Sequence, residues 1–191
     1  YSCLVNIMNR YTIYFDVQEL YYLPQYLPVY QQLEVSEIFS CKFVFHKGKF
    51  DEVIEKIIAN EKLPFSWVEN KDDALNTYLE EKPNWIFLGN TFPKLDLIHN
   101  HSKTVQLGHG VGPKKSYYSK SDTSTTVRFV ESEYRLKRLE EIYPNDRFEN
   151  VGFCKMDPII NGEEKGINFS KLGLNSSKKT ILYAPTFYPS S

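Results

Sequence analysis

The sequence predicts an α/β fold, with a Rossmann-like parallel sheet covered by helices on both faces. Short apolar runs alternate with helix-length amphipathic segments from residue 12 to residue 153, and this alternation is typical of parallel βαβ units. Some of the runs, such as Trp-Ile-Phe-Leu at 85–88, are apolar throughout, as strands buried on both faces must be. Aromatic residues make up 15% of the chain, which favours an ordered core over disorder.

The strands are predicted in chain order from β-branched and aromatic runs. Residues 12–15 and 42–45 are the first two, and the short run 66–68 is the third. The apolar run 85–88 is expected at the centre of the sheet. Three later strands complete it, at 104–107, 127–130 and 150–153.

The helices are predicted between these strands. Residues 50–59 place apolar side chains at i, i+3, i+4 and i+7, so this helix is amphipathic. The helix over 71–81 has two aspartates in its first turn, where the helix dipole favours negative charge. The segment 20–33 is expected to become helical at Pro24 or Pro28, because proline fits the first turn of a helix. Two more helices are predicted, at 131–142 and 168–174.

The same pattern predicts the domain organisation. Residues 1–160 form the Rossmann-like domain, and residues 161–178 are a polar, glycine-containing linker with the short helix. Residues 179–191 begin a new strand. We expect this to be the first strand of a second domain that is truncated in this chain.

Composition and charge exclude several classes of protein. A net charge of −1 among 191 residues does not suggest a nucleic-acid binder. The three cysteines form no CxxC pair, so we expect neither a zinc site nor a disulfide framework but reduced thiols in the cytoplasm. We find no signal peptide and no apolar run long enough to span a bilayer. The Tyr/Leu-rich segment 20–30 could touch a membrane surface, although a place in the core is the simpler interpretation.

The most informative segment follows the predicted strand 104–107. There His109 stands among Gly108, Gly110 and Gly112, with Lys114 and Lys115 directly behind. Ligands of α/β proteins bind at the carboxyl ends of strands, histidine moves protons near neutral pH, and lysine offers charge to phosphate. A glycine-rich turn with a structural histidine and solvated lysines explains the spacing equally well.

Other polar residues are weaker candidates. Lys155 and Asp157 follow the last predicted strand and could contact a ligand or form an ordinary surface turn. His46 ends the second strand, where a turn histidine is the simpler interpretation than one facing a cleft. His99 and His101 have metal-ligand spacing, but no Cys or His supports them in sequence, so we predict no metal site.

Three motifs resemble the CDP-glycerol glycerophosphotransferases, the primases and polymerases of teichoic acid. The run Gln-Leu-Gly-His-Gly-Val-Gly-Pro-Lys-Lys at 106–115 is similar to that family's His-Gly-x-x-x-Lys motif. Gly-Phe-Cys-Lys-Met-Asp at 152–157 resembles its Gly-Tyr-Pro-Arg-Asn-Asp segment. Ile-Leu-Tyr-Ala-Pro-Thr-Phe at 181–187 resembles the segment that opens its nucleotide-binding domain. The chain differs at Gly108, where the family usually has Trp, and at Lys155, where it usually has Arg.

The resemblance implies the N-terminal, acceptor-side half of a GT-B-like enzyme with two Rossmann-like domains. His109 is then the catalytic base, and Gly110, Gly112, Lys114, Lys115, Lys155 and Asp157 bind substrate or phosphate. The donor is CDP-glycerol, CMP is released, and no cofactor is implied. The acceptor is a lipid-linked or polymeric glycerol phosphate of the cell wall or capsule, which implies a cytoplasmic enzyme with peripheral contact at the inner face of the membrane.

Two alternatives to this function remain open. One is another GT-B enzyme, a sugar transferase or a nucleotide-sugar epimerase. The other is a non-catalytic module whose glycine loop only holds an anion. On any of these interpretations the fragment by itself is expected to be inactive as an enzyme.

Overall fold

Seven parallel strands form one sheet in a computed structural model, which describes residues 10–112, 115–163, 166, 168–175 and 177–184. The strand order is β3-β2-β1-β4-β5-β6-β7, which contains the usual Rossmann order 3-2-1-4-5-6. The predicted α/β class with a Rossmann-like sheet is confirmed. The strands are β1 (Tyr11–Val17), β2 (Phe39–His46), β3 (Phe65–Val68), β4 (Trp85–Leu88), β5 (Lys103–Gln106), β6 (Val127–Val130) and β7 (Phe148–Asn150).

Helices cover both faces of the sheet. Two core clusters lie on opposite sides of β1, because Ile13, Phe15 and Val17 belong to one and Tyr14 to the other. The first cluster packs under α1 and α2, the second under α3 and α4. The helices are α1 (Leu23–Glu34), α2 (Asp51–Glu61), α3 (Lys71–Glu81), α4 (Leu95–Ile98), α5 (Glu133–Ile142) and α6 (Asp157–Ile160).

The structure decides where the proline-containing helix begins. A 3-10 turn over Leu20–Tyr22 leads into α1, which starts at Leu23, so Pro24 occupies the first turn. Pro28 lies inside the helix instead of beginning it. Tyr22, Tyr26 and Tyr30 of this segment are buried, and their packing offsets the hydrogen bond that Pro28 cannot donate.

The last predicted strand is displaced. We predicted residues 150–153, but β7 spans Phe148–Asn150. Gly152 has a φ of 76°, in the left-handed region that extended strands do not occupy. The chain therefore leaves the sheet before Gly152, and a 3-10 turn over Cys154–Met156 follows.

The chain forms two compact units, Tyr1–Asp157 and Pro158–Ser191. In the second unit, residues 169–172 form a 3-10 turn instead of the predicted α-helix. Residues 179–184 form neither helix nor strand, and Ile181 is 92% exposed, so the strand predicted there as the start of a second domain stays a prediction. A strand requires a hydrogen-bonding neighbour, and none of the described residues supplies one. Residues 185–187 of the third motif lie outside the described residues.

Candidate functional site

The candidate site lies at the carboxyl ends of β1, β4, β5 and β6. The strand order reverses between β1 and β4, because the chain adds strands on one side of β1 and then on the other. In open α/β sheets ligands bind in the crevice at this switch point. Tyr21 and Tyr22 follow β1, Gly89 follows β4, and His109 follows β5. The topology thus brings His109 to the place where the fold offers a ligand site.

One hydrogen bond fixes the tautomer of the neutral His109 ring. Its Nδ1 lies 2.8 Å from the carbonyl oxygen of Gly89. A carbonyl oxygen can only accept, so Nδ1 carries the proton and donates it. In the neutral ring Nε2 is then the unprotonated nitrogen, and no described residue forms a hydrogen bond with it. A histidine held in this tautomer presents a free lone pair to a ligand.

Aromatic side chains fix the plane of the His109 ring. Tyr22 stacks on it with centroids 5.1 Å apart and planes 19° apart. Tyr21 meets it edge-on at 5.1 Å, and Tyr117 is 6.2 Å away. Tyr22 is 1% exposed, so it is a rigid support for the imidazole.

Gly89 makes this stacking possible. A Cβ at Gly89 would lie 2.5 Å from Cδ2 of Tyr22, a distance that real carbon atoms do not reach. The residue after β4 must therefore be glycine for Tyr22 to lie against both the strand end and His109. The same residue supplies the carbonyl that accepts from His109, so its backbone and its missing side chain both position the imidazole.

A cavity of about 170 Å³ opens beside His109. It is large enough for a small ligand, since one water needs roughly 10–15 Å³ on this measure. Its charged lining consists of Arg128 within β6, Glu131 directly after that strand, and Arg135 in the first turn of α5. The remaining described lining residues are Gly89, Asn90, Gln106, Leu107, Gly108, His109, Gly110, Tyr117, Phe129 and Val130.

Arg135 is buried but incompletely paired. The residue is 6% exposed. Its Nε donates to Glu131 at 2.9 Å, and its Nη2 donates to the Gly112 carbonyl at 2.7 Å. Its Nη1 is buried and has no hydrogen-bond acceptor among the described residues. The guanidinium carbon lies 4.6 Å from the ring of Tyr118, which compensates part of the charge but offers no oxygen acceptor.

Arg128 adds a second positive charge. Its guanidinium donates to the backbone carbonyls of Ser119, at 2.8 Å, and Tyr117. Burial and the nearby charge of Arg135 lower the pKa of the Arg128 side chain. Both acceptors of Arg128 are neutral carbonyls, so they do not offset its charge. Glu131 is the one carboxylate of the described lining, which contains two guanidinium groups.

The structure brings together some of the predicted site residues. Gly110 lines the His109 cavity, and the carbonyl of Gly112 accepts from Arg135. Lys114 lies outside the described residues, and Lys115 opens a 3-10 turn whose first side chains are not described.

The two candidates of the second motif lie elsewhere. Lys155 and Asp157 follow β7 at the edge of the sheet, and neither is among the described lining residues of the His109 cavity. Between β7 and these residues the chain packs on α1, where Cys154 Sγ donates to the Gln25 carbonyl at 3.2 Å. Their roles stay predictions.

His46 belongs to a separate buried polar cluster. It is the last residue of β2, and its Nε2 lies 2.8 Å from Oδ1 of Asp16, which is fully buried. Tyr78 donates to the same oxygen at 2.6 Å, and Gln18 donates to the other carboxylate oxygen at 2.5 Å. Three donors stabilise the buried carboxylate. The turn histidine predicted at this position is therefore a core histidine.

The remaining histidine pair shows no metal-site geometry. Nε2 of His99 pairs with the Thr104 hydroxyl at 2.7 Å, and His101 is exposed. In the part of the chain that the structure describes, no three His, Cys, Asp or Glu residues cluster as metal ligands do. Likewise, no helix within the described ranges is long and apolar enough to cross a membrane.

Sequence reasoning missed the arginines and the carboxylate of the cavity. Arg128 stands inside the apolar run of β6, where an ionised side chain is out of place unless it is compensated. Gly89 and Asn90 follow an apolar strand just as His109 does. Arg135 gives no such signal, because its helix is rich in charge throughout.

The fold and the site together define a Rossmann-like domain with a cavity at the carboxyl ends of β4, β5 and β6, whose described lining carries a net positive charge. No family model matches the chain, and a search of the curated proteins finds no match. The resemblance to glycerophosphotransferases therefore rests on the three sequence motifs alone.

Proposed function

We propose that this chain is the acceptor-side domain of a transferase that moves glycerol phosphate from CDP-glycerol to a hydroxyl acceptor. The observation that carries the proposal is the tautomer of His109, whose Nδ1–H donates to Gly89 and whose Nε2 has no hydrogen-bond partner among the described residues, beside a cavity lined by two arginines. The order of the three motifs supports the choice of donor.

In this reaction His109 is the general base. Its Nε2 takes the proton of the acceptor hydroxyl as the oxygen attacks the phosphorus that bears glycerol. The new P–O bond forms while the bond to the bridging oxygen breaks, and CMP leaves with that oxygen and its electron pair. Arg135 and Arg128 favour the negative charge on the phosphoryl oxygens, since fixed positive groups in a dry site stabilise developing charge. A second domain would bind the cytidine nucleotide.

A pair of substitutions at His109 tests the base. Asn places its side-chain amide near the position of Nδ1 and keeps the bond to Gly89, whereas Gln reaches towards the position of Nε2 without basicity. We expect both His109→Asn and His109→Gln to lower kcat for glycerol phosphate transfer by about 10²–10⁴-fold, in protein that includes the second domain.

The matched control is His101→Asn, which changes an exposed histidine outside the cavity. It should leave kcat unchanged. Retention of wild-type kcat by His109→Asn, with the protein folded, would show that His109 is not the base. Release of UDP instead of CMP would identify the sugar-nucleotide alternative.

The positive charge of the cavity also supports the non-catalytic alternative, a module that only holds an anion. This second candidate predicts that phosphate binds and that no donor turns over even when the second domain is present. His109→Asn would then have no activity to remove.

A further inference from the structure

Arg135, which lies outside the three motifs, has a buried hydrogen-bond donor with no acceptor among the described residues. Buried guanidinium groups are normally saturated with acceptors, because an unpaired buried charged donor is costly. Arg135 keeps Nη1 without an acceptor among the described residues, while Nε and Nη2 each donate one hydrogen bond. The fold therefore carries a cost at this position that a ligand oxygen would remove.

The described lining of the cavity also carries a net positive charge, which favours an anion. Arg128 and Arg135 contribute two positive charges to the described lining, and Glu131 contributes one negative charge. One positive charge is left over. The Arg128 pKa, lowered by burial and then by the charge of Arg135, agrees with two guanidinium groups close enough to repel each other.

The placement of Arg135 adds a helix terminus to this charge. It lies in the first turn of the ten-residue helix α5, and its backbone N–H donates to the capping hydroxyl of Ser132 at 3.3 Å. The amino end of a helix is positive and attracts anions. Arg135 thus brings its guanidinium to the cavity from the positive end of α5.

We infer that Arg135, supported by Arg128 and the start of α5, forms a subsite for a phosphate group beside His109. Guanidinium groups match phosphate oxygens in geometry and charge. Glu131 holds the Nε edge of Arg135 and limits affinity, because its carboxylate competes for the same positive charge. The subsite does not depend on His109 being a base, so it stands or falls separately from the proposed transfer reaction.

Phosphate binding by the 191-residue chain tests the subsite directly. We expect inorganic phosphate to bind saturably in the millimolar range by isothermal titration calorimetry, and acetate to bind more weakly. Glycerol 3-phosphate is titrated in parallel. Tighter binding of the ester identifies an organic phosphate as the ligand, and equal binding identifies the free ion, each of which supports the subsite. Failure of the wild-type chain to bind either phosphate overturns it.

Two substitutions should change affinity in opposite directions. Arg135→Lys keeps the positive charge but loses the planar guanidinium that can donate two parallel hydrogen bonds to phosphate. It should weaken phosphate binding by about tenfold or more. Glu131→Gln removes the competing carboxylate and should tighten binding by about tenfold. The matched control is Arg138→Gln, which removes an exposed arginine of the same helix that pairs with Glu141, and it should bind like wild type.

Unchanged affinity in folded Arg135→Lys overturns the subsite. If circular dichroism shows that this variant does not fold, Glu131→Gln decides alone, and unchanged or weaker binding there overturns it. His109→Asn separates the two proposals, because it should lower the rate of transfer while phosphate still binds. If phosphate binds but no form of the protein transfers glycerol phosphate, the subsite is supported and the proposed reaction is overturned. If transfer occurs and is unchanged in Arg135→Lys, the reaction is supported and the subsite is overturned.

Discussion

The imidazole of His109 is positioned by neighbours that are distant in sequence. Its Nδ1–H donates to the carbonyl of Gly89, twenty residues earlier, and its stacking partner is Tyr22. Neither contact involves the glycines around His109 that draw attention in the sequence. At the scale of single residues, the orientation of the proposed base therefore depends on a glycine and a tyrosine outside its own loop.

Gly89→Ala should disrupt this arrangement. The added methyl group would lie 2.5 Å from Cδ2 of Tyr22, and Tyr22 is too buried to move aside. We expect a loss of about 1–3 kcal/mol in the free energy of unfolding, as for other overpacked cores, together with a lower kcat. Urea denaturation and the transfer assay measure the two effects.

Gly48→Ala is the matched control for this substitution. A Cβ at Gly48 meets no atom within 4 Å, so its unfolding free energy should change little. If Gly89→Ala is as stable and active as Gly48→Ala, then Tyr22 does not support His109 in the way described.

At the scale of elements, two helices end in a way that sequence rules do not favour. The residues after α2 and α3 are Lys62 and Lys82, with φ angles of 52° and 48°. Glycine is the usual residue in this left-handed position because it has no Cβ to clash. These lysines hold the strained conformation because their backbone N–H groups still close the last turns.

Glycine substitution should therefore change the free energy of unfolding in opposite directions at two lysines, one within α2 and one directly after it. Lys62→Gly relieves the left-handed strain and should stabilise the protein by about 0.5–1 kcal/mol. Lys56→Gly, in the exposed interior of the same helix, should destabilise it by about 1 kcal/mol. The two variants remove the same side chain, so charge is matched, and urea denaturation compares them. Destabilisation of equal size in both would contradict the strain at Lys62.

At the scale of the whole molecule, the lowered pKa values of two ionisable groups lead us to expect lower stability in acid. Burial lowers the pKa of His99 from its usual 6.5. Glu81 is also partly buried, which opposes ionisation, but hydrogen bonds from Lys42 and Tyr14 outweigh burial and lower its pKa from 4.5. Each lowered pKa means that protonation favours the unfolded chain.

Because both pKa values are lower in the folded protein, acid should destabilise it in two stages. The His99 contribution is complete above pH 6.5 and is lost as the pH falls through its lower folded value. The Glu81 contribution is complete above pH 4.5 and is lost at still lower pH. Because both groups are partly exposed, we expect each stage to be below about 1 kcal/mol.

Urea denaturation at a series of pH values measures these stages. His99→Gln should flatten the curve below pH 6.5, and Glu81→Gln should flatten it only below pH 4.5. Each variant is the control for the other. A His99→Gln curve that follows wild type throughout would assign the upper stage to another group.

The sequence was a good guide to the elements and a partial guide to the site. The helix over 71–81 and the strands 85–88 and 127–130 have the predicted bounds, because local periodicity and hydrophobicity determine them. The four-residue helix α4 was not predicted, since it has too few turns to show a helical period. The strand shift at β7 depends on the backbone conformation of Gly152, which composition does not reveal.

By itself the sequence determined the α/β class, the succession of strands and helices, and His109 as the residue to examine, because these follow from patterns within short stretches of chain. Only the tertiary structure decided which nitrogen of the neutral His109 ring carries the proton, because that depends on Gly89 at the end of another strand. It also decided that Arg128, Glu131 and Arg135 share a cavity with His109. The strand order places these chain segments side by side, and no local pattern encodes that neighbourhood.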